Sequence, residues 1–358
     1  MVLLARILQA MGASVIPAAV MIIPIRYFPP ERRGRALGVT ATGLALGTAI
    51  GPILSSLMVT LLHWRWLFCI PFLILFTLPF YRKYLIEAQG KGGRIDWIGG
   101  ALLAVTVALL LMAVTQGQWL YAAGSLIFFI LFILRIRTAA EPFVKAALFR
   151  NKGYTIGLLI AASISGIGYS ITFLTPKLLS DVHQLASGWI GFVMVPAAIT
   201  SAILGRKAGK LADQKGNTFL FGLAACLLWS CFVLTSTFSG WHPLWIMGFL
   251  IFGNVGQTFM QIALTGAISR TLPQEQTGVG MGLVSLFGFL TMAMSSGIYS
   301  TAVEMGDHVR LQTGPVVYSN IYAVLALILV AVLLLFVTAF RHAAPASTAD
   351  VKGKNSAA

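Results

Sequence analysis

Long uncharged apolar segments recur along the whole of this 358-residue chain. Each is about 20 residues long, which as an α-helix is enough to cross the roughly 30 Å hydrocarbon core of a bilayer. Only 10% of the residues are charged, against roughly 25% in an ordinary soluble domain. A transmembrane β-barrel would instead need alternating segments of about ten residues, which the sequence lacks. We therefore expect an all-α polytopic membrane protein.

Eleven membrane spans are predicted from these segments. The third is short, but its run from 67 to 80 contains no charged residue and is too apolar to lie in water. The predicted spans are Val2–Tyr27, Ala36–Leu62, Trp66–Phe80, Trp97–Thr115, Trp119–Leu134, Tyr154–Leu174, Gly188–Leu204, Thr218–Phe238, Leu244–Ile268, Gly278–Val303 and Val317–Phe340.

Basic residues are concentrated in alternate loops. All but four of the 25 Lys and Arg residues follow the first, third, fifth, seventh or ninth span or lie in the C-terminal tail; the exceptions are Arg6, Arg65, Lys177 and Arg310. Such a bias is typical of cytoplasmic loops. It predicts a cytoplasmic C-terminus, and it accounts for the net charge of +15 without a nucleic-acid partner.

Eleven spans with an inner C-terminus would place the N-terminus outside the cell. Met1 leads directly into an apolar span, without the basic region and cleavage site of a signal peptide. We therefore expect an N-terminally truncated piece of a larger transporter, with an odd number of spans missing upstream. The alternative is a complete protein with an external N-terminus.

The segment from 29 to 56 begins as a basic turn that contains Arg32, Arg33 and Gly34. The uncharged helix after it carries small or helix-bending residues, namely Gly43, Gly47, Gly51, Pro52, Ser55 and Ser56. Glycines four residues apart share one face of a helix, so they predict the close approach of a neighbouring helix. Proline predicts a bend near the far end. A generic tight helix crossing is the alternative to a functional role.

A more specific pattern, G-x-L-A-D-x-x-G, runs from Gly209 to Gly216 in the loop after the seventh span. Gly209 and Gly216 would permit a tight reversal between two helices. Asp213 could accept hydrogen bonds from a helix N-terminus or pair with an arginine, and so lock the inner face. A solvated polar turn is the alternative.

These motifs resemble those of the major facilitator superfamily, in particular the fourteen-helix drug:proton antiporters and, among them, tetracycline exporters of the Gram-positive type. Residues 6–14 resemble the motif R-x-x-Q-G-x-G, although Ala10 replaces a glycine. Residues 43–56 resemble G-x-x-x-G-P-x-x-G-G, with Ser55 and Ser56 in place of the last two glycines. Residues 209–216 resemble the second-half loop motif. The resemblance covers essentially the whole chain but begins at the family's fourth helix.

The resemblance implies a major facilitator fold with about 11 transmembrane helices present of a presumed 14. Residues 1–84 would be the remnant of the N-terminal six-helix bundle, with three helices. Residues 85–153 would form cytoplasmic loops and two extra central helices, residues 154–342 the C-terminal six-helix bundle, and residues 343–358 a cytoplasmic tail.

The function implied is secondary active transport in a bacterial-type plasma membrane. A monomer would export a small hydrophobic or amphiphilic compound such as tetracycline, with the proton gradient as its energy source and no cofactor. The alternatives are a facilitator or exporter of another small metabolite and, from a different class, a non-transporting membrane scaffold. We expect neither an enzyme nor a metal site, because the sequence carries no nucleophile, nucleotide or metal-ligand motif.

Arg6 falls within a predicted span, and a charge there is by default a functional candidate. The resemblance places it in the proton relay, with Gln9 on the substrate pathway; a side chain that snorkels to the headgroups is the alternative. None of the ten acidic residues falls in the middle of a span. Met292 stands where the resembled tetracycline exporters carry a membrane glutamate. Any coupling carboxylate is therefore expected on the missing helices.

Overall fold

Every regular element in the described part of the chain is helical. The computed structural model describes residues 2–29, 32–84, 96–139, 142–144, 147–273, 276–308 and 315–340. Its helices are α1 (Val2–Tyr27), α2 (Arg33–Leu61), a 3-10 segment (Trp64–Thr77), α3 (Leu78–Tyr84), α4 (Trp97–Gln116), α5 (Trp119–Thr138), α6 (Ala147–Arg150), α7 (Lys152–Asp181), α8 (Ser187–Lys215), α9 (Asn217–Phe238), α10 (Pro243–Ser269), α11 (Thr277–His308) and α12 (Pro315–Phe340).

The predicted spans coincide with these helices. Among the described residues, nine helical segments are long and apolar enough to cross a membrane, and they correspond to the third through eleventh predicted spans. The first two predicted spans are occupied by α1 and α2, of 26 and 29 residues. The expectation of an all-α polytopic membrane protein is confirmed.

The third span differs from its expected form. Instead of one α-helix over Trp66–Phe80, the chain forms a 14-residue 3-10 helix around Pro71 before it continues as α3. Such long 3-10 runs are uncommon. Its side chains are largely exposed, Phe72 by 64% and Phe76 by 74%. Because most helical stability in proteins comes from tertiary packing, little here enforces the α-helical form.

The core of the molecule is formed mainly by the six helices from α7 to α12. Large side chains from α7, α9 and α12 are completely or almost completely buried there, among them Tyr154, Leu174, Phe221, Tyr322 and Phe336. The rings of Phe221 and Phe336 stack with their centroids 3.6 Å apart. Three other elements pack against this bundle. Helix α1 lies along α11, and α2 lies along α8 and α10. The α4–α5 hairpin lies on α11.

Polar contacts mark the two ends of the bundle. At one, called here the Asp213 end, Asn151 Nδ2 donates to the Thr271 carbonyl at 2.7 Å. At the other, the Asp181 end, the Tyr318 hydroxyl donates to Asp181 Oδ2 at 2.5 Å. The turn from α8 to α9 follows Asp213 at the first end, and the turn from α7 to α8 follows Asp181 at the other. Which end faces the cytoplasm stays a prediction, as do the domain boundaries.

Candidate functional site

The N-terminus of α2 is capped by a carboxylate from another helix. Asp213, near the end of α8, accepts hydrogen bonds from the backbone N–H groups of Gly34 at 2.8 Å and Arg35 at 2.9 Å. The local N-cap residue of α2, Arg32, makes no side-chain capping bond. Asp213 therefore satisfies two amide groups that would otherwise lack an intrahelical partner, and its charge lies at the positive end of the α2 dipole.

Four glycines allow α2 and α8 to meet at this end. A Cβ on Gly209 of α8 would overlap the carbonyl oxygen of Gly34, and one on Gly38 would lie 2.6 Å from the carbonyl oxygen of Gly205. Each helix contributes two glycines four residues apart, so its backbone can approach the other closely. One turn further along, Thr42 Oγ1 donates to the Ala202 carbonyl at 2.9 Å. This surface is called the α2–α8 crossing below.

The predicted close approach at Gly43, Gly47 and Gly51 has no partner among the described residues, because a Cβ on any of them meets nothing within 4 Å, and it stays a prediction. Nine residues separate Gly34 from Gly43. Since each residue turns an α-helix by about 100°, the two sets of glycines lie on opposite faces of α2. The α2–α8 crossing uses the face of α2 that carries Gly34 and Gly38, for which the sequence analysis predicted no close packing. The side chains of Pro52, Ser55 and Ser56 lie outside the described residues.

The reversal between α8 and α9 depends on one glycine of the predicted pair. Gly216 has a φ of +86° and is the single residue between Lys215, the last of α8, and Asn217, the first of α9. Few residues other than glycine adopt this backbone conformation. Gly209 lies inside α8 at the crossing, so the prediction that it takes part in the reversal is wrong.

The basic turn before α2 is held by backbone contacts. Arg33 Nε donates to the Phe28 carbonyl at 3.3 Å, and the backbone N–H of Arg32 donates to the Pro29 carbonyl at 2.9 Å. Within the described ranges, the ion pair found is that of Arg135 with Asp96, and none includes Asp213. The sequence left two partners open for Asp213, a helix N-terminus and an arginine. In the structure, its partner is the N-terminus of α2.

Arg6 and Gln9 lie together on α1. Arg6 Nη1 donates to Gln9 Oε1 at 3.1 Å, and the guanidinium carbon lies 4.9 Å from the centre of the Phe68 ring in the 3-10 segment. Both α1 residues are exposed. The structure thus brings the two predicted relay residues into contact, while their role in proton transfer stays a prediction.

The α4–α5 hairpin has a polar anchor of its own. Asp96 caps α4 by accepting from the backbone N–H of Gly99 at 3.0 Å, and Arg135 Nη2 of α5 lies 3.2 Å from the same oxygen. The Gly99 N–H and, after it, Arg135 lower the pKa of the Asp96 carboxyl from its ordinary value of 3.8. Among the described residues, no group of three or more His, Cys, Asp or Glu side chains could hold a metal ion.

The sequence interpretation missed a polar stripe on α10. Asn254, Gln257, Thr258 and Gln261 are spaced as one helical face, and all four are half-buried. Gln257 packs over Gly168 of α7, where a Cβ would overlap its amide group. The Oε1 atom of Gln257 is buried and has no hydrogen-bond partner among the described residues. Polar residues at this spacing in an otherwise apolar span were the signal that could have found it.

Known proteins resemble the chain in sequence and in fold. The sequence profile of the Major Facilitator Superfamily matches residues 1–296. The riboflavin transporter RibZ of Clostridioides difficile is 24% identical over 306 residues, which are 83% of this chain and 66% of that protein. The multidrug export protein EmrB of Escherichia coli is 26% identical over 325 residues, 84% of this chain and 62% of EmrB.

Two further comparisons agree with these. Multidrug resistance protein 3 of Bacillus subtilis is 24% identical over 308 residues, 81% of this chain and 59% of that protein. The crystal structure of the human organic anion transporter MFSD10 (TETRAN) has the same fold, with a TM-score of 0.61 at 16% identity over 88% of this chain and 66% of that one. The chain thus spans about three fifths to two thirds of the length of the relatives it matches.

Proposed function

Because this chain belongs to the Major Facilitator Superfamily, we propose that it acts in secondary active transport and exports a hydrophobic or amphiphilic compound in exchange for protons. Tetracycline is the first candidate, on the strength of the motifs at residues 6–14 and 43–56. The same motifs favour the fourteen-helix drug:proton antiporters within the superfamily. The protein would work as a monomer in a bacterial plasma membrane, with its C-terminus in the cytoplasm.

The α2–α8 crossing is the observation that carries this proposal. Alternating access needs contacts that hold one end of a transporter closed and yet break in every cycle. The contact between Asp213 and α2 meets both requirements. Hydrogen bonds to a charged group contribute about 1.5–3 kcal/mol, which is enough to favour one state without trapping it. The four glycines allow the two backbones to touch without interlocked side chains. Closure at the Asp213 end would therefore be reversible.

The names of two relatives support export of drugs, since EmrB is a multidrug export protein and the Bacillus subtilis relative a multidrug resistance protein. A third relative is a riboflavin transporter, which favours transport of another small metabolite as the second candidate. The polar stripe on α10 fits either substrate. A non-transporting scaffold would need neither a reversible closure nor amide side chains within a span.

The proposal is tested by drug accumulation in bacterial cells that express the gene with its upstream genomic sequence retained. We expect these cells to accumulate less tetracycline than cells with an empty vector, and a proton uncoupler should abolish the difference. A difference that persists with the uncoupler would contradict coupling to protons. Unchanged accumulation of tetracycline, riboflavin and ethidium would contradict transport and favour the scaffold.

A further inference from the structure

Two surfaces of α7 remain open within the bundle, and they differ in chemistry. One lines an apolar groove of about 360 Å³ against α12, with Leu159 and Leu335 among its walls. The other carries Ser165, Tyr169 and Phe173, which recur at helical spacing on a different face of α7 from Ser163 of the groove. All three are half-buried. This second surface borders the polar stripe of α10, because Gln257 lies over Gly168.

An aromatic run lies beside that contact. The rings of Tyr169 and Phe173 are 5.8 Å apart at an interplanar angle of 26°, and the ring of Tyr299 of α11 lies 6.4 Å from that of Phe173. Tyr299 is fixed by the hydrogen bond from its hydroxyl to the Gly166 carbonyl at 2.9 Å. Tyr299 is buried, whereas Tyr169 is half-buried, so the run is open at its Tyr169 end. An aromatic ligand could extend the stack there.

The amide of Gln257 supplies a directional group next to the aromatic run. Its Oε1 is buried and unpaired among the described residues, and a buried acceptor without a partner is costly to leave unsatisfied. A ligand that donates an N–H or O–H would remove that cost. No charged residue occurs anywhere in α10, and burying an unpaired ionic group beside it would be unfavourable. The surface therefore suits an uncharged donor.

We propose that Tyr169, Phe173 and Gln257 bind the uncharged planar aromatic part of the transported compound, which stacks on Tyr169 and donates an N–H or O–H to Gln257 Oε1. This inference rests on the proposed transport function, because it names the class of compound that the transporter would select. Gln257 is the specificity-determining residue, and Gly168 positions it by leaving room for its amide.

The test uses two fluorescent probes that differ by one hydrogen-bond donor, naphthalimide and its N-methyl derivative. Their affinities are measured for the purified 358-residue chain in lipid nanodiscs, without a proton gradient. We expect naphthalimide to bind roughly five- to tenfold more tightly, as one net hydrogen bond allows. Gln257→Leu should abolish that preference, and Gly168→Ala should do the same by displacing the amide. Gln116→Leu, the same substitution at the exposed end of α4, should retain it.

Equal affinities for the two probes, or no binding of either, would overturn the inference. So would a preference that survives in Gln257→Leu or in Gly168→Ala, provided that the variant elutes as the wild type does on size exclusion. If the chain shows the donor preference but its gene confers no export, the result contradicts the proposed function and not this inference. Uncoupler-sensitive export of tetracycline without the donor preference would overturn this inference and leave the function standing.

Discussion

Asp213 Oδ1 accepts a hydrogen bond from the backbone N–H of Gly34 at 2.8 Å, although the two residues are 179 positions apart in the sequence. The same carboxylate also reaches Arg35, so one side chain of α8 serves two amides of α2. The contact joins two predicted segments, the first at residues 1–84 and the C-terminal six-helix one at residues 154–342. Any movement that separates these segments at this end must first break it.

Asp213→Asn tests whether this contact sets the rate of the conformational cycle. Asparagine keeps one acceptor oxygen but has an NH2 group in place of the second, so it cannot reproduce both bonds, and the loss of charge lowers the strength of the remaining bond by roughly half. We expect slower export with little change in the affinity for substrate, measured as initial transport rates and equilibrium binding on the same preparation. Gln214→Ala, at the exposed neighbouring position, should change neither. An altered affinity at an unchanged turnover rate would count against the role as a lock.

A glycine of α8 at the α2–α8 crossing and a glycine on the opposite face of α2 predict substitutions of opposite sign. Alanine at Gly209 would overlap the backbone of Gly34, so the helices would have to move apart. Alanine at Gly47 meets nothing within 4 Å and removes the cost of glycine in a helix, roughly 0.5–1 kcal/mol. In thermal unfolding of the purified chain we expect a lower midpoint for Gly209→Ala and an equal or higher one for Gly47→Ala. A Gly209→Ala protein as stable as the wild type would mean that the crossing is not tightly packed.

Much of this arrangement could be predicted from the sequence, because a long apolar segment has few alternatives to a transmembrane helix. The sequence left two partners open for Asp213, a helix N-terminus and an arginine, because its motif places a carboxylate outside the apolar spans. The predicted packing at Gly43, Gly47 and Gly51 stays untested, because spacing identifies a face of a helix but not the partner that packs on it. Gly34 and Gly38 repeat the same spacing on the opposite face.

Other features depend on packing that a sequence pattern does not encode. The 3-10 form of Trp64–Thr77 follows from how few contacts surround it. The position of Gln257 over Gly168 brings together residues 89 positions apart, and their separation along the chain gives no hint of the contact. The three upstream helices, the proton relay and the tetracycline specificity stay predictions.

The Asp96 anchor of the α4–α5 hairpin predicts a pH dependence. Because hydrogen bonds, first from Gly99, lower the pKa of Asp96 below 3.8 in the folded protein, the folded state holds fewer protons than the unfolded one. The anchor is therefore present above the ordinary pKa and is lost as the pH falls through the lowered one. We expect Asp96→Asn to lower the thermal midpoint at neutral pH, and this difference from the wild type to shrink below about pH 4.

Arg137→Gln is the control for the Asp96 experiment, since Arg137 is exposed on the same helix. The difference in midpoint between this variant and the wild type should not vary with pH. A difference between Asp96→Asn and the wild type that stays constant down to strongly acidic pH would show that Asp96 contributes through packing rather than through its charge.

Labelling of single cysteines tests the orientation of the two ends. Charged positions at or near the Asp213 end should react only with membrane-permeant reagents, namely those of Arg33, Lys83, Lys152 and Lys210. The same is expected of Lys352, which lies outside the described residues, because the basic loops predict a cytoplasmic tail. Positions near the Asp181 end should react with impermeant reagents in intact cells, namely those of Lys177 and Asp307. Native Cys69, Cys226 and Cys231 are first replaced. External labelling at position 210 would reverse the orientation that the basic loops predict.

Arg6→Lys separates a proton relay from a snorkelling side chain. Lysine keeps the charge and can reach the headgroups as arginine does, but it lacks the planar fork that pairs with Gln9 and stacks over Phe68. If Arg6 belongs to the relay, uncoupler-sensitive export should fall at least about tenfold, as expected when a charge-assisted contact of more than about 1.4 kcal/mol is lost. Arg65→Lys, at the start of the neighbouring 3-10 segment, should leave export unchanged. Export by Arg6→Lys at the wild-type rate, with protein levels matched by immunoblot, would assign Arg6 to snorkelling and leave the proton pathway to other residues.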